Sequence, residues 1–144
     1  MSIEELTEYK SVDEKLFSEW ISSLTGKPRI ITESDIKNVI KSEDSHLFIL
    51  KDDNDIPCGM ITISFVRVLS YNKMAWIDDV FVSSTHRGCG YGKLLVKHAI
   101  EFAQDNDAFV ISLTSSASRQ AANSLYINSG FEKRETNVYN LKLK

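Results

Sequence analysis

The residues best suited to chemistry lie close together in the middle of the chain. Arg87-Gly88-Cys89-Gly90-Tyr91-Gly92-Lys93 sets three glycines within five residues, between two cations. The run follows a strand-like segment and opens a helix-like one. At such a junction, free backbone N–H groups and the positive end of a helix can hold a phosphate. Glycines let the backbone approach the anion and take conformations closed to residues with a Cβ. Just upstream stand two adjacent acids, Asp78 and Asp79. An acidic pair there suits something other than an anion.

The two best-known phosphate loops do not fit. A nucleoside-triphosphate loop needs Gly, four residues, then Gly-Lys-Ser/Thr. Arg87 stands where its first Gly belongs, and Leu94 replaces the hydroxyl residue that would hold a magnesium ion. The dinucleotide pattern Gly-x-Gly-x-x-Gly fails from Gly88, where Lys93 takes the third Gly position, and from Gly90, where Leu95 does.

Charge is unevenly spread. The formal net charge is −3; residues 1–45 carry −4 and residues 46–144 carry +1. Val80 to Ile100 holds no acid but includes Arg87, Lys93 and Lys97. A net acidic chain gives no basic footprint for nucleic acid. No apolar run reaches the roughly 18 residues of a membrane span, and the start has no basic region followed by an apolar stretch. Cys58 and Cys89 are too few for a disulfide framework, so a reducing, cytoplasmic setting is expected. His46, His86 and His98 form no metal pattern.

A chain of 144 residues, 42% hydrophobic and 26% charged, fits one ordinary domain spanning 1–144. Val12–Leu24 predicts an amphipathic helix, with Leu16, Phe17, Trp20, Ile21 and Leu24 at three- and four-residue spacing, stopped by Gly26 and Pro28. A shorter helix starts near Ser34. His46–Leu50 predicts a strand, Asp52–Asp55 a hairpin turn, and Cys58–Val68 and Met74–Val82 two further strands. After the glycine loop, a helix opens at Gly92 and ends at Asp105-Asn106-Asp107. Phe109–Thr114 predicts a short buried strand, Arg119–Asn128 a last helix closed by Gly130, and Phe131–Leu143 a final strand or hairpin. The order implies a mixed α/β domain with one parallel crossover.

Arg87-x-x-Gly90-x-Gly92, placed after the strand Ile77–Val82, resembles the pyrophosphate loop of the GNAT superfamily of N-acetyltransferases. Ala122-Asn123-Ser124-Leu125-Tyr126-Ile127-Asn128-Ser129-Gly130-Phe131 resembles the later motif of the same family, Ala-x-x-Leu-Tyr-x-x-x-Gly-Phe. Cys58–Phe131 carries the likeness, and the remainder agrees by order of elements. The resemblance implies a mixed, mostly antiparallel sheet flanked by helices, with a splayed parallel strand pair at the cofactor cleft.

It also implies acetyl-CoA as donor and no metal. The pyrophosphate would lie on N–H groups from Arg87, Gly88, Cys89, Gly90, Tyr91, Gly92 and Lys93. The pantetheine arm would pair with Val80, Phe81 and Val82 like an added strand, satisfying its two amides. Many members have Asn seven residues before the Tyr; here that position is Arg119. Asn123 lies nearer the Tyr in another helical phase. Either contributes to cofactor binding, and Arg119 or Ser118 is suited to a phosphate or a substrate carboxylate.

Direct attack by an amine is the reaction implied. Tyr126 is the general acid, because a phenol with a pKa of about 10 is protonated at pH 7 and can donate to the departing thiolate. Asp78 or Asp79 would accept an ammonium proton, through water, or bind the cation. Successive strand residues face opposite ways, so one of the two is expected at the cleft unless a bulge shifts the phase of Trp76, Asp78, Val80 and Val82. The acceptor is a small-molecule or peptide amine, and dimers are common among relatives, so a homodimer is among the assemblies implied. A non-catalytic acyl-CoA sensor on the same fold is the alternative; Tyr126 together with an acidic strand residue favours catalysis.

Overall fold

Five apolar side chains at helical spacing fold into α1 (Ser11–Thr25), whose first turn opens with the Lys10 N–H donating to the Asp13 carboxylate at 2.9 Å. Gly26 ends it at φ 71, a left-handed position that costs glycine little. Thr32 and Asp35 cap α2 (Glu33–Lys41) reciprocally: the Asp35 N–H donates to the Thr32 hydroxyl and the Thr32 N–H to the Asp35 carboxylate. The computed structural model describes residues 1–144, which divide into two compact units, Met1–Thr114 and Ser115–Lys144.

The first unit holds the whole sheet. β1 (Ser2–Glu5), β2 (Ser45–Lys51), β3 (Pro57–Val68), β4 (Asn72–Val82) and β5 (Val110–Ser112) lie side by side in chain order. The first three neighbouring pairs are antiparallel, and β4 pairs with β5 in parallel across α3 (Tyr91–Asp105). This is the mixed, mostly antiparallel α/β sheet that was expected. One face is covered by α1 and α2 through Phe17, Trp20 and Ile36, which meet Leu47, Ile49, Met60 and Phe81. On the other, Leu95, Val96 and Ala99 of α3 are wholly buried, as are Leu50, Ile61, Ile63 and Ala75 of the sheet. Side chains that differ by one position therefore serve different faces, which pins the register. Trp20 is core, its ring 5.3 Å from that of Phe81.

β4 carries a β-bulge. Thr62 pairs with Asp78 but Met60 with Phe81, so Ile61 faces both Asp79 and Val80. Asp79 takes φ 52 there, a left-handed conformation that Asp tolerates better than most residues. The extra residue reverses the alternation: Ile77 is buried with the α3 face, and Phe81, four residues on, with the α1 face.

The second unit holds α4 (Gln120–Asn128), followed by Gly130 at φ 98. The predicted strand or hairpin at Phe131–Leu143 is not formed; the segment has no regular structure, and Val138, Tyr139, Leu141 and Leu143 are exposed. Its alternating apolar pattern is strand-like, but a strand needs a ladder partner and none pairs with it. β5 is shorter than predicted and half-buried, with Phe109 out in solvent. β1 carries too few residues to announce itself by periodicity, and is a strand because β2 offers it an edge.

Candidate functional site

The open edge of β4 is the first part of the site. β5 pairs with Met74, Ala75 and Trp76 and then ends, so Ile77–Val82 has β3 on one side and no strand on the other. That is the splay expected of the parallel pair. Val80, Phe81 and Val82 lie on this free edge, where backbone groups are available to an extended ligand that carries amides.

One 3-10 turn, Ser84–His86, joins the edge to the glycine loop. Arg87 turns its side chain back along the strand: Nε donates to the Val82 carbonyl at 3.1 Å, and the guanidinium lies 5.9 Å from the centre of the Phe81 ring. Gly88 and Gly90 take φ 77 and 81, and Gly90 caps α3 with no side-chain hydrogen bond. No acid lies in the first turn of α3, which contains Tyr91, Gly92 and Lys93. The leading N–H groups of a helix have no partner within it, so this end suits an anion. A Cβ on Gly88 or Gly90 would meet no protein atom within 4 Å. The space over the loop is therefore open on the protein side. Cys89 is exposed and its thiol lies 3.8 Å from the Arg87 carbonyl, with no base beside it.

The acidic pair sits where the bulge puts it. Asp78 lies across from Thr62, and the Thr62 hydroxyl is near enough to Asp79 to lower its pKa. Both carboxylates thus belong to the face of α1 and α2. The bulge named as the exception to strict alternation is present: the extra residue at Asp79 breaks the strand's two-residue alternation. Trp76 and Asp78 likewise do not share a face with Val82, which pairs with Gly59 on the α3 side. Burial pushes the Asp78 carboxyl above its ordinary range. Burial, and then the charge of Asp78, raise that of Asp79, against the Thr62 hydroxyl and Arg29, which lower it. A carboxylate so placed is a better proton acceptor than one in water.

In the second unit, Arg119 precedes α4. Asn123 spends its amide hydrogens on the carbonyls of Ser116 and Arg119, at 2.9 Å each, which leaves its oxygen as the free group. Tyr126 is 6% exposed; its ring meets that of Phe131 edge-on, with centroids 6.0 Å apart. Burial raises the phenol pKa, against a smaller lowering by Arg119. The group is therefore protonated at neutral pH, as an acid must be.

Three features of the first unit left no signal in the chain's periodicity. Gly59 lies opposite Val82, and a Cβ there would come within 2.8 Å of the Phe81 carbonyl oxygen. Arg29, from the connection between α1 and α2, acts electrostatically on Asp79. His86 reaches Asp52, 34 residues away, at 2.9 Å. Residues so far apart in sequence meet only through the sheet. No group of three or more His, Cys, Asp or Glu side chains is placed to hold a metal ion, and no helix is long and apolar enough to cross a membrane.

Solved structures share this architecture. A putative acetyltransferase from Agrobacterium tumefaciens aligns with a TM-score of 0.85 over 99% of this chain and 100% of that one, at 21% identity. An aminoglycoside acetyltransferase from an uncultured soil metagenomic sample aligns with a TM-score of 0.83 over 99% of this chain and 96% of that one, at 17% identity. Among sequences, N-acetyltransferase 8F1 of Rattus norvegicus is 42% identical over 64 residues, which is 44% of this chain and 29% of that protein. The chain thus matches less than a third of that relative's length. The sequence model of the Acetyltransferase (GNAT) family matches residues 9–131, which takes in β2 to β5, the bulge, the glycine loop and α4. The chain belongs to the GNAT acetyltransferase family.

Proposed function

We propose that this protein transfers an acetyl group from acetyl-CoA to a primary amine by direct attack. The observation that carries the reading is the unpaired edge of β4 from Ile77 to Val82, leading through one short turn into the acid-free glycine loop. Acetyl-CoA supplies the reactive thioester. Its pyrophosphate is held by the N–H groups between Arg87 and Lys93, and its pantetheine amides by the edge at Val80, Phe81 and Val82. The Val82 N–H polarises the thioester carbonyl.

The remaining steps belong to side chains. Asp78 and Asp79 bind the acceptor ammonium and take up its proton, Asp78 being raised by burial and Asp79 by burial and its neighbour's charge. Only the neutral amine attacks. Tyr126 protonates the departing thiolate, a role supported by the phenol's raised pKa and by its place in the family's Leu-Tyr motif. Arg119 lies ahead of α4 and is available to a phosphate or carboxylate. Two acids on one face favour a cationic acceptor, in line with the aminoglycoside acetyltransferase that shares the fold. Release of free thiol from acetyl-CoA, measured across polyamines, amino sugars, amino acids and peptides, tests the reading. Saturable thiol release with at least one amine is the expected outcome. Silence across the panel together with tight acetyl-CoA binding would instead identify an acyl-CoA sensor.

A further inference from the structure

The glycine loop is the hardest part of the site to hold in place. Glycine loses more conformational freedom on ordering than any other residue. Between Arg87 and Gly90, the contacts from loop side chains are those of Arg87 to Val82 and the weak thiol contact of Cys89. Immediately before the loop, in a single 3-10 turn at Ser84–His86, stands a residue with contacts on three sides.

His86 Nε2 lies 2.9 Å from Asp52 Oδ2, in the turn between β2 and β3. A carboxylate only accepts, so Nε2 carries a hydrogen and donates it. His86 Nδ1 lies 2.9 Å from both the Ser83 and the Thr85 hydroxyls. The imidazole stacks on Tyr91, the first residue of α3, at 5.8 Å and 22°. Asp52 is itself fixed: its Oδ1 accepts from the Asn54 and Ile56 N–H groups at 2.9 and 3.0 Å. Those N–H groups, Ile56 first, and His86 hold its carboxyl below the usual range, so the anchor is ionised. The Asp52 and His86 side chains are only 11% and 24% exposed, which shields the bond from water.

We propose that His86 is a positioning residue for the CoA pyrophosphate: bonded to Asp52 and stacked on Tyr91, it fixes both ends of the glycine loop relative to the sheet before ligand arrives. The proposal rests on the reading that the loop holds the pyrophosphate of acetyl-CoA. Its logic is preorganisation. A loop already ordered does not draw on binding energy to become so. The clasp touches neither the thioester nor the amine, so its effect belongs to donor binding and not to turnover.

The test compares two acetyl donors on the full chain: acetyl-CoA, and S-acetylpantetheine, which lacks the pyrophosphate. His86→Ala is expected to raise the KM for acetyl-CoA about tenfold, the loss of one hydrogen bond to a charged group. Its kcat should stay within about twofold, and its kcat/KM for S-acetylpantetheine should be unchanged, because only the clasp's share of donor binding is removed. His86→Gln, which keeps a donor toward Asp52, should recover much of the loss. His86→Phe keeps the ring on Tyr91 without the donor, and serves if the alanine variant is poorly folded, as judged by its melting temperature. Unchanged acetyl-CoA KM in these variants, or equal losses with both donors, would overturn the clasp. Wild-type protein that shows no preference for acetyl-CoA over S-acetylpantetheine would overturn the loop reading itself, and the clasp with it.

Discussion

Arg87 Nε donates to the Val82 carbonyl at 3.1 Å, so one hydrogen bond ties the end of β4 to the start of the glycine loop. The same guanidinium lies over Phe81, which in turn meets Trp20 in the core. Arg87→Ala should therefore weaken acetyl-CoA binding about tenfold by losing both a charge and the loop's tether. Arg87→Lys should recover only part, because an ammonium on a flexible stem does not reproduce the planar contact with Phe81 and Val82. Calorimetric titration with acetyl-CoA measures both variants; full affinity in the alanine variant would contradict the role.

Asp79→Asn should lower kcat/KM by about a hundredfold if Asp79 takes the proton, and Asp78→Asn by less. Stability should move the other way. Burial raises the Asp79 pKa in the folded state, so the unfolded chain gives up its proton more readily. This acid therefore costs stability as pH rises above the ordinary Asp pKa, and the cost is absent below it. The asparagine variant should melt higher than wild type at pH 7, with the gain fading at pH 4. A lower melting temperature at pH 7 would count against this account of the site.

Tyr126→Phe should lower kcat about a hundredfold while leaving acetyl-CoA affinity within about threefold. The phenol is lost but the buried ring, packed edge-on to Phe131, is kept. Steady-state kinetics with a good amine decides this; unchanged turnover removes the general-acid role.

Two glycines separate backbone strain from steric blocking. A Cβ at Gly59 meets the Phe81 carbonyl at 2.8 Å, so Gly59→Ala should destabilise the fold by about 1–3 kcal/mol as β3 and β4 are forced apart. A Cβ at Gly90 meets no protein atom, so Gly90→Val costs stability only through its φ of 81, about 1–2 kcal/mol, yet its side chain projects where the pyrophosphate should lie. Gly90→Val should fold and fail to bind CoA. Thermal melts and calorimetry on both variants provide the comparison.

His98 gives the fold a weakness toward acid. Its Nε2 is buried without a hydrogen-bond partner, against Phe48 at 4.4 Å, and burial lowers its pKa below the ordinary histidine value, against a smaller raising by Glu101. The folded state therefore resists protonation that the unfolded chain accepts. Stability is complete above the unfolded histidine pKa of about 6.5, and falls as pH drops from there toward the folded pKa. His98→Leu should flatten this limb in melts recorded between pH 7 and pH 5.

The local chemistry of the site was legible in the chain. The glycine loop, its flanking cations, the absence of acid from Val80 to Ile100 and the Leu-Tyr motif are contiguous features, and contiguous features survive being read as a string. Helix α1 and the strands β2, β3 and β4 were legible too, because burial of one face imposes a period on the residues themselves. Tertiary structure decided the rest. The bulge at Asp79 turns two successive acids to one face, and depends on how β3 and β4 pair rather than on either strand alone. The His86–Asp52 bond and the close approach at Gly59 join segments that meet only once the sheet is assembled. The alternating tail from Phe131 to Leu143 shows the limit of a pattern by itself: without a partner to complete its hydrogen bonds, a strand-like sequence does not become a strand.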